Sequence, residues 1–131
     1  MSDTKLKTIL LVEDNEDNLV VYRTILEHVG FRVIEARDGE EGVNRAKEHL
    51  PDLILMDISI PKMDGWEATQ RLKADGNTKQ IPIIALTAHA LEGDRKECLA
   101  AGMNDFLSKP VQLVELTAAL ERVPKRGADV A

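Results

Sequence analysis

Leu53-Ile54-Leu55-Met56-Asp57 decides the reading of this chain: four apolar residues in succession, ending in a carboxylate. A run of that length without alternation fits a strand covered on both faces, as in a parallel sheet layered by helices. Three other runs share the pattern. Ile9-Leu10-Leu11-Val12 ends in Glu13-Asp14, Ile83-Ile84-Ala85-Leu86 ends in Thr87, and Phe106-Leu107 runs through Ser108 to Lys109. Side chains at the carboxyl ends of neighbouring parallel strands converge on one sheet edge, where open α/β folds bind ligands. Three carboxylates, a hydroxyl and an ammonium gathered there make a site for a divalent cation and a phosphoryl group.

Between these runs the pattern alternates strand and helix. Leu19, Tyr22, Leu26 and Val29 recur at helical spacing and stop at Gly30, and Phe31 to Ala36 reads as a more polar edge strand. Asp38-Gly39 leads into a helix carrying Val43, Ala46 and Leu50, closed by Pro51. A loop at Pro61, Met63, Asp64 and Gly65 precedes a helix from about Trp66 to Ala74, which Asp75-Gly76-Asn77 breaks. A weakly patterned helix is expected over roughly Glu92 to Ala101, ended by Gly102. Asp105 to Ser108 is a short fifth strand. Leu113, Leu116, Leu120 and Val123 mark the last helix. Right-handed crossovers then require a doubly wound α/β fold: five parallel strands with helices on both faces, in the flavodoxin-like order 2-1-3-4-5.

Composition narrows the function classes. The 131 residues, 44% of them apolar, suit a single domain with its core over about 8–123 and a short tail at 124–131. A formal charge of −6 and the absence of a basic patch beyond Lys125-Arg126 argue against nucleic-acid binding. No apolar run approaches a membrane span, and Met1-Ser2-Asp3-Thr4-Lys5 is no signal region, so a cytoplasmic protein is expected. Cys98 stands alone, which leaves no internal disulfide or cysteine metal cluster.

The candidate residues each have a plainer reading. Glu13 and Asp14 can serve only as helix caps, Thr87 as a good strand residue, and Lys109 before Pro110 as a solvated charge. Asp57 resists that treatment, because the turn signal begins only at Pro61. If the three carboxylates lie within about 4–5 Å, each pair costs about 1 kcal/mol in water and about 4 at an intermediate dielectric. A hard cation relieves the repulsion, and Mg²⁺ characteristically takes one or two carboxylates together with waters and phosphate oxygens. A carboxylate can itself accept a phosphoryl group, while lysine neutralises and a hydroxyl donates to its oxygens.

The chain resembles the response-regulator receiver domains of two-component signalling over about residues 8–123. The matching pieces are Leu11-Val12-Glu13-Asp14-Asn15, Leu55-Met56-Asp57 with Pro61-Lys62-Met63-Asp64-Gly65, Ala85-Leu86-Thr87-Ala88, and Ser108-Lys109-Pro110. The resemblance implies that Asp57 accepts phosphate from a histidine kinase or a histidine phosphotransfer protein. It implies that Glu13, Asp14, Asp57 and the backbone carbonyl of Ser59 hold Mg²⁺ (or Mn²⁺), and that Thr87 and Lys109 grip the phosphoryl group. It also implies that Phe106 is an aromatic switch partner of Thr87, and that Ser59 and His89 tune the lifetime of the acyl phosphate. Thr87 to Arg95 looks like the receivers of hybrid histidine kinases and the single-domain DivK-type receivers, and because the tail from Pro124 to Ala131 is too short for an output domain, a stand-alone receiver is expected. Such a protein assists only its own phosphorylation and dephosphorylation. It would signal to a downstream protein through the surface around residues 92–123.

Other classes predict other residues. A fragment of a hybrid kinase would carry the same pattern within a longer chain. An Mg²⁺-dependent phosphatase with an aspartyl-phosphate intermediate is expected to have a second aspartate where this chain has Ser59. A flavin carrier needs a Ser-, Thr- and Gly-rich phosphate loop, where this chain has Glu13-Asp14-Asn15-Glu16-Asp17. A degenerate, scaffold-only receiver is expected to lack Asp57 or Lys109.

Overall fold

The computed structural model describes residues 7–58, 65–87, 100, 102–103, 105–108 and 113–122. Along these the chain runs β1 (Thr8–Val12), α1 (Glu16–Val29), β2 (Arg32–Ala36), α2 (Gly39–His49), β3 (Leu53–Asp57), α3 (Gly65–Ala74), β4 (Ile83–Thr87), β5 (Asp105–Ser108) and α4 (Leu113–Arg122). The strands form one parallel sheet in the order β2-β1-β3-β4-β5, as the sequence predicts. The helix expected over 92–101 lies outside the described residues except for Ala100, which is helical. Gly102 follows in the left-handed conformation, φ 102°.

Alternation along the strands divides the core into two layers. Leu10, Val12, Ile54, Met56, Ile83 and Ala85 point to the side covered by α2 and α3, where they meet Val43, Ala46, Ala68 and Leu72. Ile9, Leu11, Leu53, Leu55, Ile84 and Leu86 point to the other side, where Leu19, Tyr22 and Leu26 of α1 and Leu116 and Ala119 of α4 cover them. Every residue of β3 and β4 is buried, because each has a helix layer on both faces; β2, at the sheet edge, is mostly only half-buried.

Local chemistry sets the element ends. Asn15 caps α1, its side chain accepting from the Asn18 N–H at 2.9 Å, and Gly30 closes the helix at φ 110°. Asp38 caps α2 by accepting from the Glu41 N–H at 2.8 Å, and Glu41 answers by accepting from the Arg37 N–H at 2.8 Å. Leu50 departs from expectation. It lies one residue past α2, exposed, in the left-handed region at φ 48°, because Pro51 denies its predecessor the right-handed helical conformation. Gly42 lets α2 approach β1 closely: a Cβ there would stand 3.0 Å from Val12 Cγ2. Between α3 and β4, the Lys73 ammonium donates to the carbonyls of Lys79 and Ile81, both at 3.0 Å, and burial lowers its pKa below that of an ordinary lysine. Among the described residues no helix is long and apolar enough to cross a membrane.

Candidate metal and phosphoryl site

Two backbone hydrogen bonds carry the sheet past its regular strands and fix the acidic residues. The Glu13 N–H donates to the Ala36 carbonyl at 2.9 Å, so the β1–β2 ladder extends one residue beyond Val12. The Ile58 N–H donates to the Leu86 carbonyl at 3.2 Å, which locks Asp57 inside the β3–β4 ladder. Val12 pairs with Met56, so Glu13 and Asp57 follow as the next neighbours on adjacent strands. Both carboxylates fall on the side of the sheet that packs against α1 and α4.

The result is a compact acidic cluster. Glu13, Asp14 and Asp57 each offer a carboxylate oxygen, all within 4.8 Å of one another. Glu13 and Asp57 are buried and Asp14 is exposed, so among the described residues the cluster meets solvent through Asp14. Glu13 Oε2 also accepts from the Asn15 N–H at 3.2 Å, which holds the turn between β1 and α1. The alternative use of Glu13 and Asp14 as helix caps does not survive: Asn15 is the cap, and the acidic first turn belongs to Glu16 and Asp17. An oxygen-only donor set with one exposed member fits a hard divalent cation that keeps water or phosphate ligands of its own.

Thr87 ends β4 beside this cluster. Leu86 pairs with Asp57 across β3 and β4, and Thr87, the next residue, is buried at the same edge. Phe106 pairs with Ala85 on β5, placing it diagonally from Thr87 on the α2/α3 side of the sheet, half-buried against that core layer. The structure thus brings together Glu13, Asp14, Asp57 and Thr87 at one edge, with Phe106 a step behind. Ser59, His89 and Lys109 lie outside the described residues.

One basic residue at this edge escaped the reading from sequence. Arg37 follows Ala36, the residue bonded to Glu13, and its guanidinium donates to Glu16 Oε1 at 2.7 Å. The hydrogen bond and charge of Glu16 raise its pKa above the ordinary arginine value, with smaller contributions from Glu35 and Glu41. Position alone could have flagged it, as the residue after the edge strand at the carboxyl end of the sheet.

Known proteins share this sequence pattern and this fold. The sequence pattern of the response regulator receiver domain matches residues 9–121. The polar-differentiation response regulator DivK of Brucella anthropi is 42% identical over 107 residues, which span 82% of this chain and 87% of the relative. The receiver domain of sensor histidine kinase PA1611 from Pseudomonas aeruginosa, with a magnesium ion coordinated in its active site cleft, superposes with a TM-score of 0.84 at 47% identity. That match covers 90% of this chain and 97% of the other. The Vibrio cholerae chemotaxis protein CheY4 superposes at 0.86 with 28% identity, over 92% and 100% of the two chains. The chain belongs to the response regulator receiver domain family.

Proposed function

We propose that this receiver takes a phosphoryl group from a phosphohistidine onto Asp57, in a reaction that needs Mg²⁺ (Mn²⁺ serving in its place), and so changes how a partner protein is bound. The observation that carries the reading is the meeting of Glu13, Asp14 and Asp57 within 4.8 Å beside the buried Thr87. In the transfer, an Asp57 carboxylate oxygen attacks phosphorus and forms the new O–P bond. The N–P bond to the donor imidazole breaks, and the ring keeps the electron pair and leaves as neutral imidazole, its one proton already on the other ring nitrogen or taken from solvent. Glu13 and Asp14, with Asp57 and the Ser59 carbonyl, would hold the ion, which neutralises charge on the carboxylates and the phosphoryl oxygens.

The Thr87 hydroxyl donates to a phosphoryl oxygen and Lys109 neutralises another, while Ser59 and His89 set how fast water reaches the acyl phosphate. As Thr87 shifts toward the new group, Phe106 enters the space it leaves, and the surface around residues 92–123 presents the change to a downstream protein. The donor is a histidine kinase or a phosphotransfer protein, the setting is the cytoplasm, and residues 1–131 act as one receiver domain whose net charge of −6 disfavours nucleic acid.

The test is phosphoryl labelling from acetyl phosphate or a phosphohistidine protein with Mg²⁺. The wild type should take up one base-labile, acid-stable group, and Asp57→Asn none. Undiminished labelling of that variant would move the acceptor elsewhere, first to Asp14.

A further inference from the structure

We infer that Arg37 speeds loading by the phosphodonor: its guanidinium, parked on Glu16, steers dianionic donors toward the acidic pocket. The inference rests on the proposed acceptor role of Asp57 and adds to it a residue on a different loop.

The pocket presents an electrostatic problem of its own making. Three carboxylates that suit a cation repel the dianion that has to follow it, and Glu16 and Asp17 in the first turn of α1 deepen the negative field. Arg37 is held where it can offset this. Its backbone is fixed on both sides, since the Ala36 carbonyl accepts from the Glu13 N–H at 2.9 Å and its own N–H donates to Glu41 at 2.8 Å. Its side chain crosses from the β2–α2 junction to Glu16, two residues beyond Asp14.

The ion pair is exposed, with side-chain accessibilities of 51% for Arg37 and 67% for Glu16. Pairs of that kind are weakly held, so the guanidinium can exchange one carboxylate for a phosphate oxygen without rearranging the fold. A planar fork that binds phosphate in two-pronged fashion, held on Glu16 two residues along the chain from Asp14, raises the local concentration of dianions and their rate of entry.

Steering and scaffolding predict opposite patterns. If Arg37 steers, Arg37→Gln slows phosphorylation by acetyl phosphate about two- to fivefold at low ionic strength, and the difference closes near 0.5 M salt as screening shortens to a few ångströms. Its Mg²⁺ affinity should stay level or tighten, because a positive charge has left the rim. Arg37→Lys should retain most of the rate, and Glu16→Gln, which frees the guanidinium, should match or exceed wild type. A slowing that persists in high salt, or one accompanied by weaker Mg²⁺ binding in a thermal-shift titration, would show a strap that merely shapes the Glu13 turn, and the inference would be wrong. An unchanged rate in Arg37→Gln would also end it. Failure of the wild type to label at all would instead count against the acceptor reading itself.

Discussion

Removing one carboxylate from the acidic cluster should make the metal-free protein more stable and the metal less useful to it. In Asp14→Asn, two of the three mutual repulsions among Glu13, Asp14 and Asp57 disappear, since all three oxygens lie within 4.8 Å of one another. At that separation a pair of unit charges costs about 0.9 kcal/mol in water and about 3.5 kcal/mol at an effective dielectric of 20. Asp14 is exposed, so the aqueous end of the range governs, and two lost pairs amount to about 2 kcal/mol. For a chain of 131 residues about 1 kcal/mol corresponds to roughly 4 °C, which puts the expected rise in Tm at roughly 8 °C in chelator. Mg²⁺ at ten times its dissociation constant adds about 1.4 kcal/mol to the wild type. A variant binding tenfold more weakly gains about 0.4 kcal/mol at the same concentration. Differential scanning calorimetry with EDTA and with MgCl₂ measures both quantities in one experiment. Equal Mg²⁺ stabilisation of the two proteins, or a metal-free variant less stable than wild type, would refute the account of the cluster as a strained cation site.

Three further expectations address packing and response. Gly42→Ala should cost about 1 kcal/mol in urea denaturation, because overpacking against Val12, which has its branched carbon locked in β1, costs about 1–3 kcal/mol and exceeds the gain in helix propensity. An alanine variant of higher stability would show that Val12 yields freely. Thr69 is wholly buried and its hydroxyl has no hydrogen-bond partner among the described residues, so Thr69→Val should be neutral or stabilise by about 1 kcal/mol; a clear loss on thermal melting would contradict this. Thr87→Ala should still be phosphorylated, yet beryllofluoride with Mg²⁺ should shift fewer amide signals between residues 87 and 115 than in wild type. Identical NMR responses would remove Thr87 from the switch.

What the sequence revealed, and what it concealed, follows from the physics of each signal. The apolar runs at 9–12, 53–56 and 83–86 announce central strands because burial on both faces leaves no room for polar residues. The strand order and the convergence of Glu13, Asp57 and Thr87 then follow from topology. The boundaries were harder. Glu13 and Asp14 carry the same capping chemistry as Asn15, and only the backbone bond from Glu13 to Ala36 shows that the strand continues through them. Leu50 belongs by hydrophobicity to the helix, but Pro51 overrides that preference locally. Arg37 was invisible for another reason. An exposed arginine carries no periodic pattern, and its link to Glu16, 21 residues away, exists only after β1 and β2 have paired.

The alternation of side chains along the strands has a consequence for how such a protein can change over time. By parity Asp57 belongs with the layer under α1 and α4, whereas Thr87 and Phe106 belong with the layer under α2 and α3. Under the proposed reading, then, the acceptor and the Thr87–Phe106 pair are anchored in different halves of the core and meet only where the strands end. Substitutions beneath α2 and α3 bear first on the Thr87–Phe106 pair, while those beneath α1 and α4 bear on the acceptor and on α4, itself part of the surface that would present the change. A lineage can therefore alter the switch pair without repacking the acceptor's side of the sheet, whereas loading and the presenting surface share a layer and drift together.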